Sequence, residues 1–234
     1  MGIFHQDNKS MVVVAPHPDD EVLGAGGLIL RAADAGWNVH VLYMTVAGFS
    51  SIASGKQSTT DDRDREISRA STVLGLTRSD VLFRGQKFLR RLDTVPQTEL
   101  IAFIETGIAR TKPSVFVMPA QGHHHQDHRA TAAACLAALR PAPAGSRPFV
   151  PIILAYSHSE SGFGSATHLT HTNAFVDITG VMDRKLEALA CYESQLCKPP
   201  HPRSLEGVRS LSAASGAYGG TEYAEEYECI RFVI

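Results

Sequence analysis

The stretch Met11-Val12-Val13-Val14-Ala15-Pro16-His17-Pro18-Asp19-Asp20-Glu21-Val22-Leu23-Gly24-Ala25-Gly26-Gly27-Leu28-Ile29-Leu30-Arg31 decides the fold. Met11 to Ala15 is a short, continuous apolar run rich in β-branched residues and stopped by Pro16, the pattern of a buried strand. Pro16 to Asp20 is a polar loop. From Glu21 to Ala35 the residues Val22, Leu23, Leu28, Ile29, Leu30 and Ala32 recur at helical spacing, and Gly36 supplies the stop. Strand, polar loop and helix make the opening half of a βαβ unit.

The same alternation continues outward. Strands are expected at Asn38–Val46, Val81–Phe83, Ser114–Met118, Ile152–Tyr156 and Asn173–Ile178, and helices at Thr60–Leu76, Pro96–Arg110, His128–Leu139 and Val181–Tyr192. Gly48 to Thr60 is Gly/Ser-rich and reads as a flexible loop able to act as a lid. Cys197 to Tyr227, rich in Gly, Pro and Ser, reads as largely loop before a last strand at Glu228–Ile234. This order predicts an α/β fold with a Rossmann-like, largely parallel sheet and helices on both faces. It also predicts one domain over residues 1–234, with ligands gathering at the carboxyl edge of the sheet.

Composition removes several classes of function. With 44% hydrophobic residues in 234, the chain has material for a sizeable single core. Lys and Arg number 22 against 24 Asp and Glu, so no excess positive charge exists to track a phosphate backbone, and nucleic acid is excluded as a general partner. No run approaches the ~18 apolar residues of a membrane span. Met1 to Gln6 carries neither a secretory nor a myristoylation pattern, and a cytoplasmic location is expected. Four cysteines without a Cys-x-x-Cys pair read as free thiols. Whether the chain forms a homo-oligomer is left open.

Two clusters carry the chemistry. His17, Asp19, Asp20 and Glu21 directly follow the first strand. Gly122-His123-His124-His125-Gln126-Asp127-His128-Arg129 follows the fourth and returns to the same sheet edge. His17, Asp20 and His128 together supply two imidazoles and one carboxylate, a ligand set that leaves a divalent metal an open position for water. Zn²⁺ in such a site brings the pKa of bound water down to about 7. Asp19 is an extra carboxylate beside the ligands. Taken alone, Asp20 or Glu21 can instead be helix caps, and Arg63 a solvated helix charge beside Asp61 and Asp62. Gly24 to Gly27 fall inside a helix and read as close-packing positions, not a dinucleotide loop. His158 and His171 are candidates for a pocket wall.

Pro16-His17-Pro18-Asp19-Asp20-Glu21, followed by His125-Gln126-Asp127-His128, resembles the PIG-L/LmbE superfamily of zinc-dependent N-deacetylases, whose signatures are an A-H-P-D-D-E loop and an H-P-D-H loop. Arg63-Asp64-Arg65-Glu66 with Ala70 and Leu74-Gly75 resembles the family's R-x-x-E helix, and Lys185, Ala188-Leu189 and Ser194-Gln195 resemble its C-terminal element. The resemblance implies that His17, Asp20 and His128 bind Zn²⁺, with Fe²⁺ or another divalent metal as substitutes. It implies that Asp19 is the general base on the metal-bound water and then the acid toward the leaving amine. His125 becomes an imidazolium at the oxyanion, Asp127 the group that orients His125, and Arg63 a contact to sugar hydroxyls.

The implied activity is removal of an N-acetyl or other small N-acyl group from an amino sugar or small glycoside. A metal-dependent phosphoesterase is the alternative enzyme, disfavoured because only Arg63 and Arg129 stand near as a basic clamp, and a non-catalytic metal- or sugar-binding protein is the other alternative. The chain departs from the family pattern at Pro16, Gln126, Tyr192 and the extra imidazoles His123 and His124. It also lacks an acidic residue in Phe83 to Phe88.

Overall fold

A computed structural model describes residues 8–50, 55–143, 145–157 and 172–233. Strand β1 (Ser10–Ala15) is buried along its whole length and lies at the centre of the sheet because both its faces are apolar. Met11, Val13 and Ala15 enter one core layer and Val12 and Val14 the other. That alternation is the period-2 rule acting on a strand covered on both sides.

From β1 the chain runs through α1 (Asp20–Asp34), β2 (Asn38–Val46), α2 (Thr60–Leu74), β3 (Arg78–Arg84), α3 (Gln97–Thr111), β4 (Val115–Pro119), α4 (Gln126–Ala138) and β5 (Ile152–Tyr156). It then continues through β6 (Ala174–Asp177), α5 (Met182–Ala190), α6 (Leu205–Gly219) and β7 (Ala224–Phe232). The strand order is β3-β2-β1-β4-β5-β7-β6. The first five are parallel, and β7 runs antiparallel to both β5 and β6. Helices α1, α2 and α5 contribute to the core on one face, and α3 and α4 to the core on the other. The expected Rossmann-like sheet is therefore present, and no helix of the described residues is long and apolar enough to cross a membrane.

The order reverses between β1 and β4. The chain leaves β1 toward β2 on one side, while β4 pairs with β1 on the other, so the loops after these two strands open a crevice at the carboxyl edge. Both histidine-bearing loops lie there.

Helix α1 is pressed against the sheet through its glycines. A Cβ on Gly24 would fall 2.1 Å from Cδ2 of the buried Tyr156 ring. Gly24→Ala is expected to destabilise the fold, because overpacking of about 1–3 kcal/mol exceeds the helix propensity of up to about 1 kcal/mol that alanine gains. Urea unfolding with an unchanged slope and a lower midpoint reports this, and a midpoint at or above wild type contradicts it.

Two expectations need correction. Leu205–Gly219 is a helix, not loop: the Ser204 hydroxyl caps it by accepting from Gly207 N (2.9 Å), and Gly220 closes it at φ 72°. Its glycines and serines give it weak intrinsic propensity. It is held by tertiary packing, with Val208 buried and the backbone of Glu222 so close to Gly216 that a Cβ there would meet the Glu222 carbonyl oxygen at 2.6 Å. The last strand accordingly starts at Ala224 rather than Glu228, and its Glu225 is buried, which masked the strand in the sequence. The base of the loop expected over Gly48–Thr60 is pinned by a Ser50–Gln57 bridge and by Ser58 N donating to Phe49 O (3.0 Å). Residues 51–54 lie outside the described residues.

Candidate metal centre

The loop after β1 folds back on itself as it enters α1. Asp20 N donates to His17 O (3.3 Å), and His17 N donates to Asp20 Oδ2 (2.9 Å). Asp19 sits at the N-cap with φ 102° and ψ −26°, and its side chain makes no capping bond. An aspartate held in that region is strained, and such strain persists only where the surroundings enforce it. Asp20 and Glu21 lie in the first turn of the helix, and Glu21 Oε2 accepts from the backbone N–H of the N-cap residue Asp19 (3.1 Å), so Glu21 does serve the helix start.

The loop after β4 brings the second cluster onto the first. His128 in the first turn of α4 places Nε2 3.2 Å from Asp20 Oδ2, and His17 Nδ1 lies 3.4 Å from the same oxygen. One donor atom from each of His17, Asp20 and His128 falls within 4.8 Å of the others. Three donors of this kind, converging from two loops on one buried point, fit a divalent cation with an open coordination position. His17, His125 and Asp127 form a second such group, but the Asp127 carboxylate is already engaged by His17 Nε2 (2.8 Å) and Leu92 N (2.9 Å).

That engagement overturns one expectation. Asp127 orients His17, not His125, through a contact spanning 110 positions of sequence. With Nε2 directed to a carboxylate, His17 presents Nδ1 to the cation position, the arrangement that fixes the tautomer of a metal-ligating histidine. The hydrogen bond between Asp127 and His125 is made by the Asp127 backbone: its N–H donates to His125 Nδ1 (3.1 Å), which makes His125 the cap of α4. With Nδ1 accepting, the neutral ring carries its hydrogen on Nε2.

The electrostatics follow from burial and from these contacts. Burial opposes protonation of His17, yet the hydrogen bonds to Asp127 and Asp20 raise its pKa to about 9, so in the metal-free protein a proton stands in for the cation. Burial and then the charge of Asp20 push Asp19 up to about 7, with Arg63, Arg203 and His17 holding it down. Asp20 lies well below the usual carboxylate range; burial works against this, and His128 and His17 overcome it. Burial, then the positive charges of His17 and His128, lower His125 to about 4. In the metal-free protein, burial and the neighbouring positive charges thus work against the imidazolium expected at His125.

These groups open on a cavity of about 290 Å³, whose wall includes Asp19, Asp20, His125, Phe49, Arg90 and Arg203. A larger cleft of about 1000 Å³ lies beside Ala138–Pro143 and Gly145–Val150, with no histidine in its wall among the described residues. Among the described residues its one carboxylate, Glu105, is paired with Arg140 (2.9 Å) and Arg147 (3.4 Å).

Arg63 also reaches the small cavity, but it is buried, not a solvated helix charge. Its Nη1 donates to Glu66 Oε2 (2.6 Å) and Ser194 Oγ (2.9 Å), and its Nη2 to Pro18 O. Those bonds fix the guanidinium in the cavity wall, where it also brings a positive charge.

Arg129 turns to the carbonyls of His123 and His124, so it is not part of a clamp. Arg203 and Arg90, unmarked in the sequence, stand beside the site as well as Arg63. Arg203 Nη1 lies 3.9 Å from Asp19 Oδ2, and Arg90 lies over the Phe49 ring at 5.0 Å. His123 stacks on His128 at 4.0 Å and accepts from His125 N (3.0 Å), which explains one of the extra imidazoles as a support for a ligand. His158 and His171 lie outside the described residues.

A doubly wound α/β sheet with an open two-histidine, one-carboxylate centre at its switch point defines the class of a candidate metallohydrolase. The chain belongs to the PIG-L family: the family model described as GlcNAc-PI de-N-acetylase matches residues 12–139, a span containing His17, Asp19, Asp20, Arg63, His125, Asp127 and His128. Diacetylchitobiose deacetylase of Thermococcus kodakarensis is 30% identical, over 97% of this chain and 84% of that protein. A probable N-acetyl-alpha-D-glucosaminyl L-malate deacetylase 2 of Bacillus anthracis is 28% identical, over 81% of this chain and 83% of that one. Among solved structures, the conserved protein TT1542 of Thermus thermophilus superposes with a TM-score of 0.73 at 28% identity, covering 96% of both chains.

Proposed function

We propose that this protein is a metal-dependent N-deacetylase that removes an acetyl or similarly small acyl group from an amino sugar or small glycoside, with Zn²⁺ as the cation. The observation that carries this reading is the convergence of His17, Asp20 and His128 on one point, with the unligated, strained Asp19 carboxylate beside it. The relatives' names supply the bond and the substrate class.

His17 Nδ1, Asp20 and His128 Nε2 would hold the cation. When bound, a divalent metal supplies Lewis-acid polarisation of the acyl carbonyl and brings a water toward ionisation near neutral pH. Asp19 accepts the proton of the attacking water and returns it to the departing amine. Its pKa of about 7 in the metal-free protein places a base near the working pH. The neutral His125 donates from Nε2–H to the oxygen that becomes negative in the tetrahedral intermediate. The Arg63 and Arg203 charges favour the ionised form of Asp19.

The test is a panel of N-acetylated amino sugars and glycosides with phosphoesters as a second arm. Free amine and acetate are expected to appear in equal amounts from the first arm and no phosphate from the second. Phosphate release without amine contradicts the reading in favour of a phosphoesterase.

A further inference from the structure

The Pro18–Asp19 peptide unit is gripped at both ends. Its carbonyl accepts from Arg63 Nη2, and its N–H donates to Glu21 Oε2 (3.1 Å). The other oxygen of Glu21 accepts from the Tyr192 hydroxyl, and the Tyr43 hydroxyl lies 3.4 Å from that of Tyr192. Glu21, Tyr192 and Tyr43 are each fully buried, and none of the three lines the cavity. A carboxylate buried away from the reacting centre is costly unless its hydrogen bonds perform a structural task.

The task is visible in the backbone. The orientation of a peptide plane sets φ of the residue that follows it, and Asp19 has φ 102°. Turning the Pro18–Asp19 plane over would return Asp19 to the negative φ that a non-glycine residue favours. It would also break both grips.

We propose that Glu21, locked by Tyr192 and opposed by Arg63, is a clamp on the Pro18–Asp19 peptide that holds Asp19 left-handed and so aims its carboxylate at the cation position. Glu21 and Tyr192 are positioning residues that act through Asp19. The inference rests on Asp19 being the base of the proposed reaction. It assigns a function to Tyr192, which departs from the family's sequence pattern.

The test combines crystal structures with kinetics of Glu21→Ala, Glu21→Gln and Tyr192→Phe. In Glu21→Ala the Pro18–Asp19 plane is expected to flip and Asp19 to take a negative φ. kcat is expected to fall on the order of 10²-fold, while KM and bound zinc stay near wild type. Glu21→Gln keeps an oxygen that accepts from Asp19 N, and should restore most of kcat. A left-handed Asp19 in Glu21→Ala overturns the proposal, and so does a Gln variant as impaired as the Ala variant. If Glu21→Ala does not fold, Tyr192→Phe, which removes one hydroxyl, carries the test. An unchanged kcat there, with Asp19 still left-handed, overturns the clamp. Peptide orientation is read without any substrate, so failure of the deacetylase reading and failure of the clamp are distinguishable.

Discussion

Asp19→Asn is expected to retain zinc and to lose turnover by a factor on the order of 10² or more. The substitution keeps the size of the side chain and its place at the N-cap while removing its ability to take a proton. None of the three donors to the cation is altered, so metal content should match wild type. The pH profile adds a second readout. A base works when ionised, so kcat/KM of the wild-type enzyme rises with pH as Asp19 loses its proton. In the metal-free protein that loss falls near 7, and a neighbouring cation lowers it. The acid limb is therefore expected at or below about 7, and it should vanish from the residual activity of Asp19→Asn. Unchanged turnover in that variant removes Asp19 from the mechanism.

Asp127→Asn is expected to weaken zinc binding by about 10–100-fold, with kcat at saturating zinc much less affected. Both oxygens of Asp127 accept, one from His17 Nε2 and one from Leu92 N. An amide has a single acceptor oxygen, so whichever way it turns, its NH₂ faces one of those two donors. His17 then loses its anchor, or the 89–92 loop loses its hold on α4.

Competition against a chromophoric chelator measures the affinity. The arrangement first expected, with Asp127 serving His125, predicts the reverse: unchanged affinity and a lower kcat. The same contacts give zinc binding a pH dependence. Because His17 holds its proton up to about 9 in the metal-free protein, zinc affinity should climb as pH rises toward 9. The stability that the protonated His17 lends the metal-free fold is fully present below its unfolded pKa of 6.5 and is lost as pH rises through 9.

The first half of the fold was legible because β1 to β4 and their helices carry strong apolar runs, each ended by Gly or Pro. Once Met11–Ala15 and Ser114–Met118 are read as neighbouring parallel strands, the loops that follow them must meet, so His17, Asp20 and His128 can be brought together on paper. Contacts that depend on three-dimensional detail could not be read. Asp127 lies two residues from His125 and 110 from His17, and its inward turn on α4 decides between them. Arg203 lies in a segment without periodicity, just before a helix whose glycines and serines hid it. The left-handed φ of Asp19 has no marker at all, because glycine, the residue that usually announces such a conformation, is absent there.

The most direct test of the central claim is a zinc titration of chelator-stripped protein, following acetate release from an N-acetylated amino sugar. Metal-free protein should be inactive, and activity should rise linearly and level off at one zinc per chain. Acetate release that persists at full rate in the stripped protein, or one tightly bound zinc per chain with no acetate from any member of the panel, contradicts it.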